Sequence, residues 1–384
     1  MLRAIALVTL VLASIRASAD TTPVVVNCDA GQSLNRALAK LDKVTPVTVK
    51  FQGICTEFVV VDGFNNLTLR GINGASIQQP ATNPPASPFY VLSVKASRSV
   101  TLLGFTVQSL PSAFSAIGVG KGSTDVLLEN VKTNGSWGIV IHEASQVWLV
   151  NVNVNITSGF AAVSAFDKSD VHIVGGLLHR SADSAYHAGL LVGSGHVTVQ
   201  GMTIRDMQEG MSIGTSGSVD LVNFQPTTAD TDVTIENPAG TNVYGVLVSA
   251  SSSLNLSSSR LLISNAGQPY GFNSGAVFVT NGSTLNAAAS LIVTASHGQG
   301  VIVSNSSHAE MQGSSITGGA HGGLVVVNQS TAGATLTSPL TTISGNATDL
   351  FCDSKSRITG SSYIANVTTV QCNDLVPGLY ESLP

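Results

Sequence analysis

Short runs of alternating apolar and polar residues, separated by corners of small residues, recur along most of the chain. The segment Tyr186–Gly214 contains one complete unit of this pattern. It has apolar alternations at residues 189–192, 197–199 and 202–204, and a small-residue corner at residues 193–195 separates the first two. Alternation places every second side chain of a strand on the same face. Each unit therefore predicts three short β-strands.

Successive units open with Gly or another small residue at spacings of 21 to 35 residues. The opening positions are Gly138, Ala162, Gly189, Gly210, Gly245, Gly275, Gly300 and Gly323. A period of about 20–30 residues with three strands per period is typical of a parallel β-helix. A β-sandwich would need hairpin signals every ~8–12 residues and longer strands, and a helical solenoid would need fewer Gly and β-branched residues. We therefore predict an all-β fold, a single-stranded parallel β-helix of about a dozen coils.

One amphipathic helix is predicted near the start of the repeats. Behind Ser33, which can act as an N-cap, four apolar residues follow the spacing of a helix face. These residues are Leu34, Ala37, Leu38 and Leu41. We expect this helix to cap the N-terminal end of the solenoid, where strand edges and core would otherwise be exposed.

Three insertions interrupt the repeats, at Gln79–Pro88, Phe224–Asp232 and Ala266–Asn273. The first is rich in Pro, which cannot join a central strand. Insertions in a solenoid collect on one face, so these three are candidate walls of a groove.

The first 19 residues predict a secretory signal peptide. Arg3 supplies the basic region, residues 5–13 form an apolar run, and Ala17–Ala19 fits a cleavage site. The run is too short for a membrane span, and a buried N-terminal helix is the alternative interpretation. We expect a secreted, periplasmic or cell-surface protein, without a membrane span, in which residues 20–384 form one domain.

Charge excludes several partner classes. Without the predicted signal, 15 Lys and Arg face 22 Asp and Glu, a net charge of about −7. No stripe of Lys or Arg is present, which argues against nucleic acid or an anionic membrane as a partner. The hydrophobic content of 43% is ample for a core, so disorder is not expected. We expect a monomer.

Four cysteines allow three disulfide pairings, and a solenoid selects one of them. Each coil adds about 4.8 Å of length, so the two ends of a long solenoid are far apart. Only Cys28–Cys55 and Cys352–Cys372 can then approach within the ~7 Å Cα separation that a disulfide allows. An exported chain would favour such bonds, and the spacing typical of zinc ligands is missing.

The opening of the repeats resembles a known group of proteins. The segment SLNRAL (33–38), followed by VKFQGICTEFVVVDGFNNLTLRG (49–71), is similar to the right-handed parallel β-helix proteins of the pectate-lyase-like superfamily. The resemblance covers essentially the whole mature chain, and it implies a right-handed solenoid. In that superfamily the opening is a structural first coil, so the resemblance implies that Glu57 is not a catalyst. The superfamily includes polysaccharide lyases, polygalacturonases, pectin methylesterases and epimerases. Their active-site motifs are not recognisable here.

One column of outward residues gathers ionisable groups. When the coils are aligned on Val126, Val147, Val171 and Val197, the residues eight positions later are Asn134, Asn155, His179 and Arg205. Adjacent coils lie about 4.8 Å apart, so His179 and Arg205 should be side by side. An Arg can hold a uronate carboxylate, and a His can remove the proton alpha to it. The candidate catalytic residues are His179, Arg205, Asp206 and Glu209, with Arg180, Asp183 and His187 as candidate substrate-binding residues. Ordinary surface charge is the alternative.

A second candidate comprises Trp137, His142 and Trp148, which could provide a platform for sugar rings. The alternative is that the two Trp side chains pack over coil corners. No metal site is predicted: calcium would be possible, but no site for it is recognisable, and no cofactor is expected.

Two functional hypotheses follow. The first is recognition of an extracellular or cell-wall polysaccharide, which could include lyase- or epimerase-type chemistry on uronate sugars. The second is a non-catalytic surface or adhesion-type solenoid. A fold of this kind hosts many functions, so the sequence pattern alone does not choose between them.

Overall fold

The computed structural model describes ten segments of the chain. They are residues 22–81, 89–181, 187–222, 232–236, 243–257, 259–267, 274–288, 291–294, 296–334 and 340–376. The predicted signal peptide, Asp183 and most of the three predicted insertions lie outside them. Among the described residues, no helix is long and apolar enough to cross a membrane.

Three parallel sheets run along the molecule, and we name them A, B and C in the order in which a coil visits them. Sheet A has 15 strands, and sheets B and C have 13 each. Along the repeats, each strand pairs in parallel with the third strand after it in the chain. This is the topology of a parallel β-helix, as the sequence pattern predicts.

The strands of sheet A are Val24–Asn27, Val47–Gln52, Asn65–Gly71, Arg98–Leu103, Thr124–Glu129, Gln146–Val150, Asp170–Val174, His196–Gln200, Ser218–Leu221, Ser253–Leu256, Thr284–Ala288, His308–Gln312, Thr331–Gly333, Arg357–Thr359 and Leu375–Val376. Those of sheet B are Ile54–Thr56, Ser76–Gln78, Thr106–Gln108, Lys132–Gly135, Asn153–Ile156, Leu177–Arg180, Thr203–Arg205, Val233–Glu236, Leu261–Ser264, Leu291–Thr294, Ser315–Thr317, Thr341–Ser344 and Ile364–Ala365. Those of sheet C are Val59–Asp62, Tyr90–Lys95, Ser115–Gly120, Trp137–Ile141, Ala161–Phe166, Ala188–Gly193, Glu209–Gly214, Tyr244–Val248, Gly275–Val279, Gln299–Val303, Gly322–Val326, Thr348–Cys352 and Val370–Gln371.

The core consists of columns of similar side chains inside the solenoid. Val126, Val147, Val171 and Val197 are register partners on consecutive strands of sheet A, and none of them is exposed. Full burial of such a side chain contributes about 1.5–3 kcal/mol, so the columns supply the main favourable term in folding. Stacking of like residues follows directly from the repeated alternation in the sequence.

Buried serines tie the coils together at the corner between sheets C and A. In most coils a serine follows two residues with positive φ, as Ser307 follows Asn305 (54°) and Ser306 (60°). The Ser283 amide donates to Ser307 Oγ, and the Ser307 amide donates to Ser330 Oγ, both at 3.2 Å. Such bonds join Ser97 to Ser123 and connect Ser252, Ser283, Ser307, Ser330 and Ser356 in an unbroken run. Ser145 and Ser169 are buried at the same corner.

The other two corners differ in length. A single residue with positive φ turns the chain from sheet A to sheet B in several coils, for example Asn130 (52°) and Asn151 (51°). The connections from sheet B to sheet C vary, and the predicted insertions Gln79–Pro88 and Ala266–Asn273 belong to them. The insertion Phe224–Asp232 instead joins sheet A to sheet B. The strands that flank the first and third insertions therefore connect across one border of sheet B, and those that flank the second connect across the other.

Both predicted disulfides are present. Cys28 is bonded to Cys55 with a Cα separation of 5.1 Å, and Cys352 is bonded to Cys372 with one of 4.5 Å. Each bond joins neighbouring strands or turns at one end of the solenoid, because the two ends are too far apart for any other pairing.

The predicted helix is present but short, spanning Leu34–Leu38. Lys40 and Leu41 bond to carbonyls three residues back, so the chain leaves the helix one turn earlier than the apolar spacing predicts. Glu57 accepts hydrogen bonds from the Ser33 hydroxyl (2.7 Å) and from the Leu34 amide (2.6 Å). Glu57 therefore holds the helix N-terminus, which agrees with the structural role that the resemblance implies. The capping role of the helix and the handedness of the solenoid stay predictions.

Candidate functional site

The predicted polar column lies on sheet B. Asn134, Asn155, His179 and Arg205 are register partners on consecutive strands, as the eight-residue offset predicts. The Asn155 side-chain amide donates to Asn134 Oδ1 at 3.0 Å. The sequence therefore places His179 beside Arg205 correctly.

Arg205 forms an ion pair with Glu236, the next residue in the same column. Its Nη2 and Nε lie 2.8 and 3.1 Å from the same oxygen, Oε2 of Glu236. Sequence reasoning missed Glu236 because the insertion Phe224–Asp232 shifts the next strand out of the regular offset. The guanidinium group that would hold a substrate carboxylate thus already faces a carboxylate of the protein.

His179 lies in an environment that favours its neutral form. Burial lowers the pKa of His179, the Asp206 carboxylate opposes this shift, and Arg205 adds to it. Asp206 itself sits in a turn with a φ of 59°, and its amide donates to the Glu236 carbonyl at 3.0 Å.

The remaining predicted residues divide between two sheets. Arg180 ends a strand of sheet B, whereas Glu209 begins a strand of sheet C. Glu209 is only 3% exposed, and its backbone N–H donates a hydrogen bond to the His187 carbonyl at 3.0 Å. Burial lowers the pKa of His187, and Arg180 acts in the same direction. Burial raises the pKa of Tyr244, and Glu209 acts in the same direction. The proposed catalytic and binding roles of these residues stay predictions.

The two tryptophans, grouped together in the sequence analysis, lie on different sheets. Trp137 is on sheet C, and Trp148 is on sheet A. Trp148 stacks on His172 with ring centroids 4.2 Å apart. His172 Nδ1 lies 2.6 Å from Thr198 Oγ1, and its Nε2 lies 3.3 Å from Asp170 Oδ2. The hydrogen bond to His172 lowers the pKa of Asp170.

This sheet A cluster links one coil to the next. Besides His172, His196 contacts a hydroxyl one coil further on, with its Nδ1 2.8 Å from Ser218 Oγ. His308 makes the same kind of contact with Thr331 Oγ1, also at 2.8 Å. Three histidines repeat one arrangement on sheet A. We therefore interpret these contacts as hydrogen bonds that hold neighbouring coils in register.

Trp137 belongs to a stack of aromatic rings at the start of sheet C, where Phe114 and Phe160 each directly precede a strand. Its centroid lies 4.9 Å from that of Phe114 and 5.5 Å from that of Phe160, and both pairs are nearly parallel. Tyr90 continues the row, with its ring edge-on to Phe114 at 5.9 Å. The two faces of the Trp137 ring lie against Phe114 and Phe160. A ligand would therefore meet mainly the edge of this ring and not an open face.

Beside the stack, sheet C contains a recess of about 180 Å³. Its lining residues are Tyr90, Val94, Lys95, Gly118, Gly120, Lys121, His142 and Glu143. Tyr90 Oη lies 3.0 Å from His142 Nε2, and the two rings are nearly parallel with centroids 5.9 Å apart. We call this surface the Tyr90–His142 recess.

Two glycines on the strand between Tyr90 and His142 make the recess possible. A Cβ on Gly118 would lie 2.4 Å from the Tyr90 ring, and one on Gly120 would lie 2.7 Å from His142 Cε1. Both distances are shorter than real Cβ contacts, so any other residue would displace the rings. The alternation Ile117-Gly118-Val119-Gly120 was the sequence signal that could have identified the site.

Charged groups surround the recess. Glu143 Oε2 accepts a hydrogen bond from the Lys121 amide at 2.6 Å and lies 3.8 Å from His142 Nδ1. Lys95 is the register partner of Gly120. Burial raises the pKa of Tyr90, and the Glu143 carboxylate acts in the same direction. The phenol is therefore protonated at neutral pH.

A larger cleft of about 470 Å³ lies at the N-terminal end, beside the Cys28–Cys55 bond. Its lining includes Arg36 and Glu57, and the Glu57 carboxylate already accepts hydrogen bonds from Ser33 and Leu34 at the start of the helix. In the described part of the chain, Cys28, Cys55 and Glu57 are also the one group of three possible metal ligands that lie close together. The two cysteines are joined to each other, so this group does not fit a metal ion.

Comparisons with known proteins do not assign the chain to a family. No protein-family model matches the chain, and no curated protein matches it. Among solved structures, the chain is similar to PfbA, a surface adhesin of Streptococcus pneumoniae, with 10% identity over 93% of both chains and a TM-score of 0.47. It is also similar to the pectate lyase Pel9A, with 12% identity over 93% of this chain and 79% of that chain and a TM-score of 0.37. Similarity of this degree carries no information about activity or ligand.

Proposed function

We propose that this protein is an exported β-helix that binds an extracellular or cell-wall polysaccharide in the Tyr90–His142 recess. The observation that supports this most is the pair of glycines below the two rings. One strand omits two successive outward side chains, so the Tyr90 and His142 rings lie close against it and border a concave site on an otherwise regular sheet. Small-molecule sites combine such a concave shape with a few polar groups that fix orientation.

The groups at the recess suit an acidic sugar. Aromatic rings provide apolar surface against a sugar ring, and the Tyr90 hydroxyl and His142 nitrogens provide hydrogen bonds to its hydroxyls. Lys95 and Lys121 both line the recess, although acidic residues outnumber basic ones in the chain. Glu143 lines the recess as well, so the two ammonium groups leave a net positive charge there, which favours a ligand with a carboxylate. A uronate-containing polysaccharide meets these requirements.

The second candidate is a non-catalytic surface or adhesion-type solenoid. The observation that favours it is the serine ladder, which joins successive coils by buried hydrogen bonds. A rod stabilised in this way needs no ligand in the recess. The two candidates differ in whether the recess binds a glycan.

A glycan array with the purified mature protein, residues 20–384, separates the two. We expect binding to uronate-containing glycans and a marked decrease for His142→Ala. His179→Ala, on sheet B, is the matched control and should bind like the wild type. Absence of binding to every glycan would contradict the proposal and favour the structural solenoid. Binding lost only in His179→Ala would move the site to sheet B.

A further inference from the structure

We infer that the outward face of sheet C joins two copies of this chain into a symmetric dimer. We define this surface, the sheet C face, by the outward side chains of eight consecutive strands, from Ala161–Phe166 to Thr348–Cys352. These strands follow the ones that border the Tyr90–His142 recess, so the surface is separate from the proposed glycan site. A dimer differs from the monomer expected from the sequence.

An apolar column runs along the C-terminal part of this face. Phe278 shows its direction, because Val277 and Val279 on either side of it are buried in the core and the side chain between them points outward. The residue at this register position is apolar on five consecutive strands, namely Leu247, Phe278, Ile302, Val325 and Phe351. Ile302 is buried, and the other four are partly exposed. The Tyr244 ring widens the column, with its centroid 5.3 Å from that of Phe278.

The same face carries no exposed charge. The structure describes all eight strands in full, and Glu209 and Asp349 are the only Asp, Glu, Lys, Arg or His residues in them. Glu209 is 3% exposed and Asp349 is fully buried. The other two sheets differ, since sheet A presents Asp170 and sheet B presents the Arg205–Glu236 ion pair. An apolar, uncharged outer surface on one sheet alone indicates contact with a partner rather than with water.

The charge of the chain favours a second copy as this partner. Residues 20–384 carry 15 Lys and Arg against 22 Asp and Glu, so two copies repel each other in most orientations. On the sheet C face two such chains meet without bringing like charges together, whereas a charged partner would find no counter-charge there. A two-fold axis normal to the sheet near Ile302 lays the apolar column of one copy on that of the other, in the opposite direction.

The size of the face fits a dimer of modest stability. Eight strands about 4.8 Å apart and about five residues long, at about 3.3 Å per residue, cover about 38 Å by about 16 Å. Each copy then contributes about 600 Å², or about 1,200 Å² in total, which is the lower limit of specific, stable interfaces.

The border of the face suits the polar rim of such an interface. Asn305 Nδ2 donates to Asn281 Oδ1, and Asn328 Nδ2 donates to Asn305 Oδ1, both at 3.2 Å. These three exposed amides follow the corner beside the apolar column, and amides bond to a partner or to bridging water without a net charge.

The test is the oligomeric state of the purified mature protein, residues 20–384, measured by sedimentation velocity over a range of concentrations. We expect a monomer–dimer equilibrium with a dissociation constant in the micromolar range. Val325→Lys places an ammonium group in the column and should raise this constant at least about tenfold, because the charge loses water and meets its own copy rather than a counter-charge. Phe278→Gln adds no charge and should also weaken the dimer.

A matched control locates the effect. Ile292 is a partly exposed aliphatic residue at an outward position of sheet B, so Ile292→Lys should leave the dimer unchanged. Circular dichroism checks that each variant is folded, and glycan binding in the recess should survive Val325→Lys. A wild-type protein that stays monomeric throughout the micromolar range overturns the inference. A dimer that forms equally well in Val325→Lys and Phe278→Gln, or one that Ile292→Lys also breaks, overturns the assignment to the sheet C face.

Discussion

Arg205 and Glu236 occupy the same position on adjacent strands of sheet B and form an ion pair through two hydrogen bonds, although 31 residues separate them in sequence. Both side chains are more than one-third exposed, at 47% and 37%. The pair neutralises the guanidinium group of Arg205, which the sequence predicts as a catalytic residue. It also gives the polar column on sheet B a structural explanation.

The first prediction concerns this ion pair. Arg205→Gln should lower the free energy of unfolding by at most about 1 kcal/mol, because exposed pairs contribute little. Chemical denaturation measures this value, and Glu236→Gln should give a similar one. Glycan binding in the recess should not change. Loss of binding in Arg205→Gln would instead support the catalytic column on sheet B.

The second prediction uses the glycines below the recess. Gly120→Ala places a methyl group 2.7 Å from His142 Cε1 and 2.8 Å from Nε2, so the imidazole must move. We expect glycan affinity to fall about tenfold, equal to about 1.4 kcal/mol. Gly214→Ala is the matched control, because Gly214 ends its strand of sheet C in the same way and its nearest contact would be Ser249 Oγ at 3.5 Å. Equal effects of the two substitutions on affinity would exclude a ligand in the recess.

The third prediction concerns the serine ladder. Ser307→Ala removes the acceptor of the Ser283 amide inside the corner. A buried donor without its acceptor costs about 1–3 kcal/mol, so the free energy of unfolding should fall by about that amount. The exposed Ser354 provides the control, since Ser354→Ala removes a hydroxyl from the surface. Denaturant unfolding of both variants measures the difference, and no difference would argue against a stabilising ladder.

The fourth prediction concerns acid stability. Burial alone would raise the pKa of Asp349, but hydrogen bonds from Thr368, Asn346 and Thr369 outweigh it and hold the pKa well below its usual range. A carboxyl group whose pKa is lowered by folding stabilises the protein fully above its unfolded pKa of about 4, and this contribution decreases as the pH falls below that value.

Asp349→Asn should therefore reduce the melting temperature at neutral pH and flatten its decline below about pH 4. Melting curves over a pH series measure both effects. Asp62→Asn, at an exposed position, should follow the wild type. A variant that declines with acid as steeply as the wild type would show that another group controls acid stability at this end of the solenoid.

Much of the fold follows from the sequence because the core imposes a local rule. Val126, Val147, Val171 and Val197 are spaced so that each returns to the inside of the next coil, and the structure stacks them in register. The disulfide pairs follow for the same reason, since a solenoid keeps residues one coil apart close together. His179 and Arg205 were also placed correctly, because no insertion lies between their coils.

Only the tertiary structure decided which outward side chains meet. Tyr90 and His142 are 52 residues apart, and their contact passes over a strand that has no side chains at Gly118 and Gly120. Arg205 meets Glu236 across an insertion that the regular spacing does not describe. Burial of the core leaves a periodic record in the sequence because every inward position must be apolar. Contacts on the outside depend on loop length and on the register of neighbouring coils, and no local pattern records either of them.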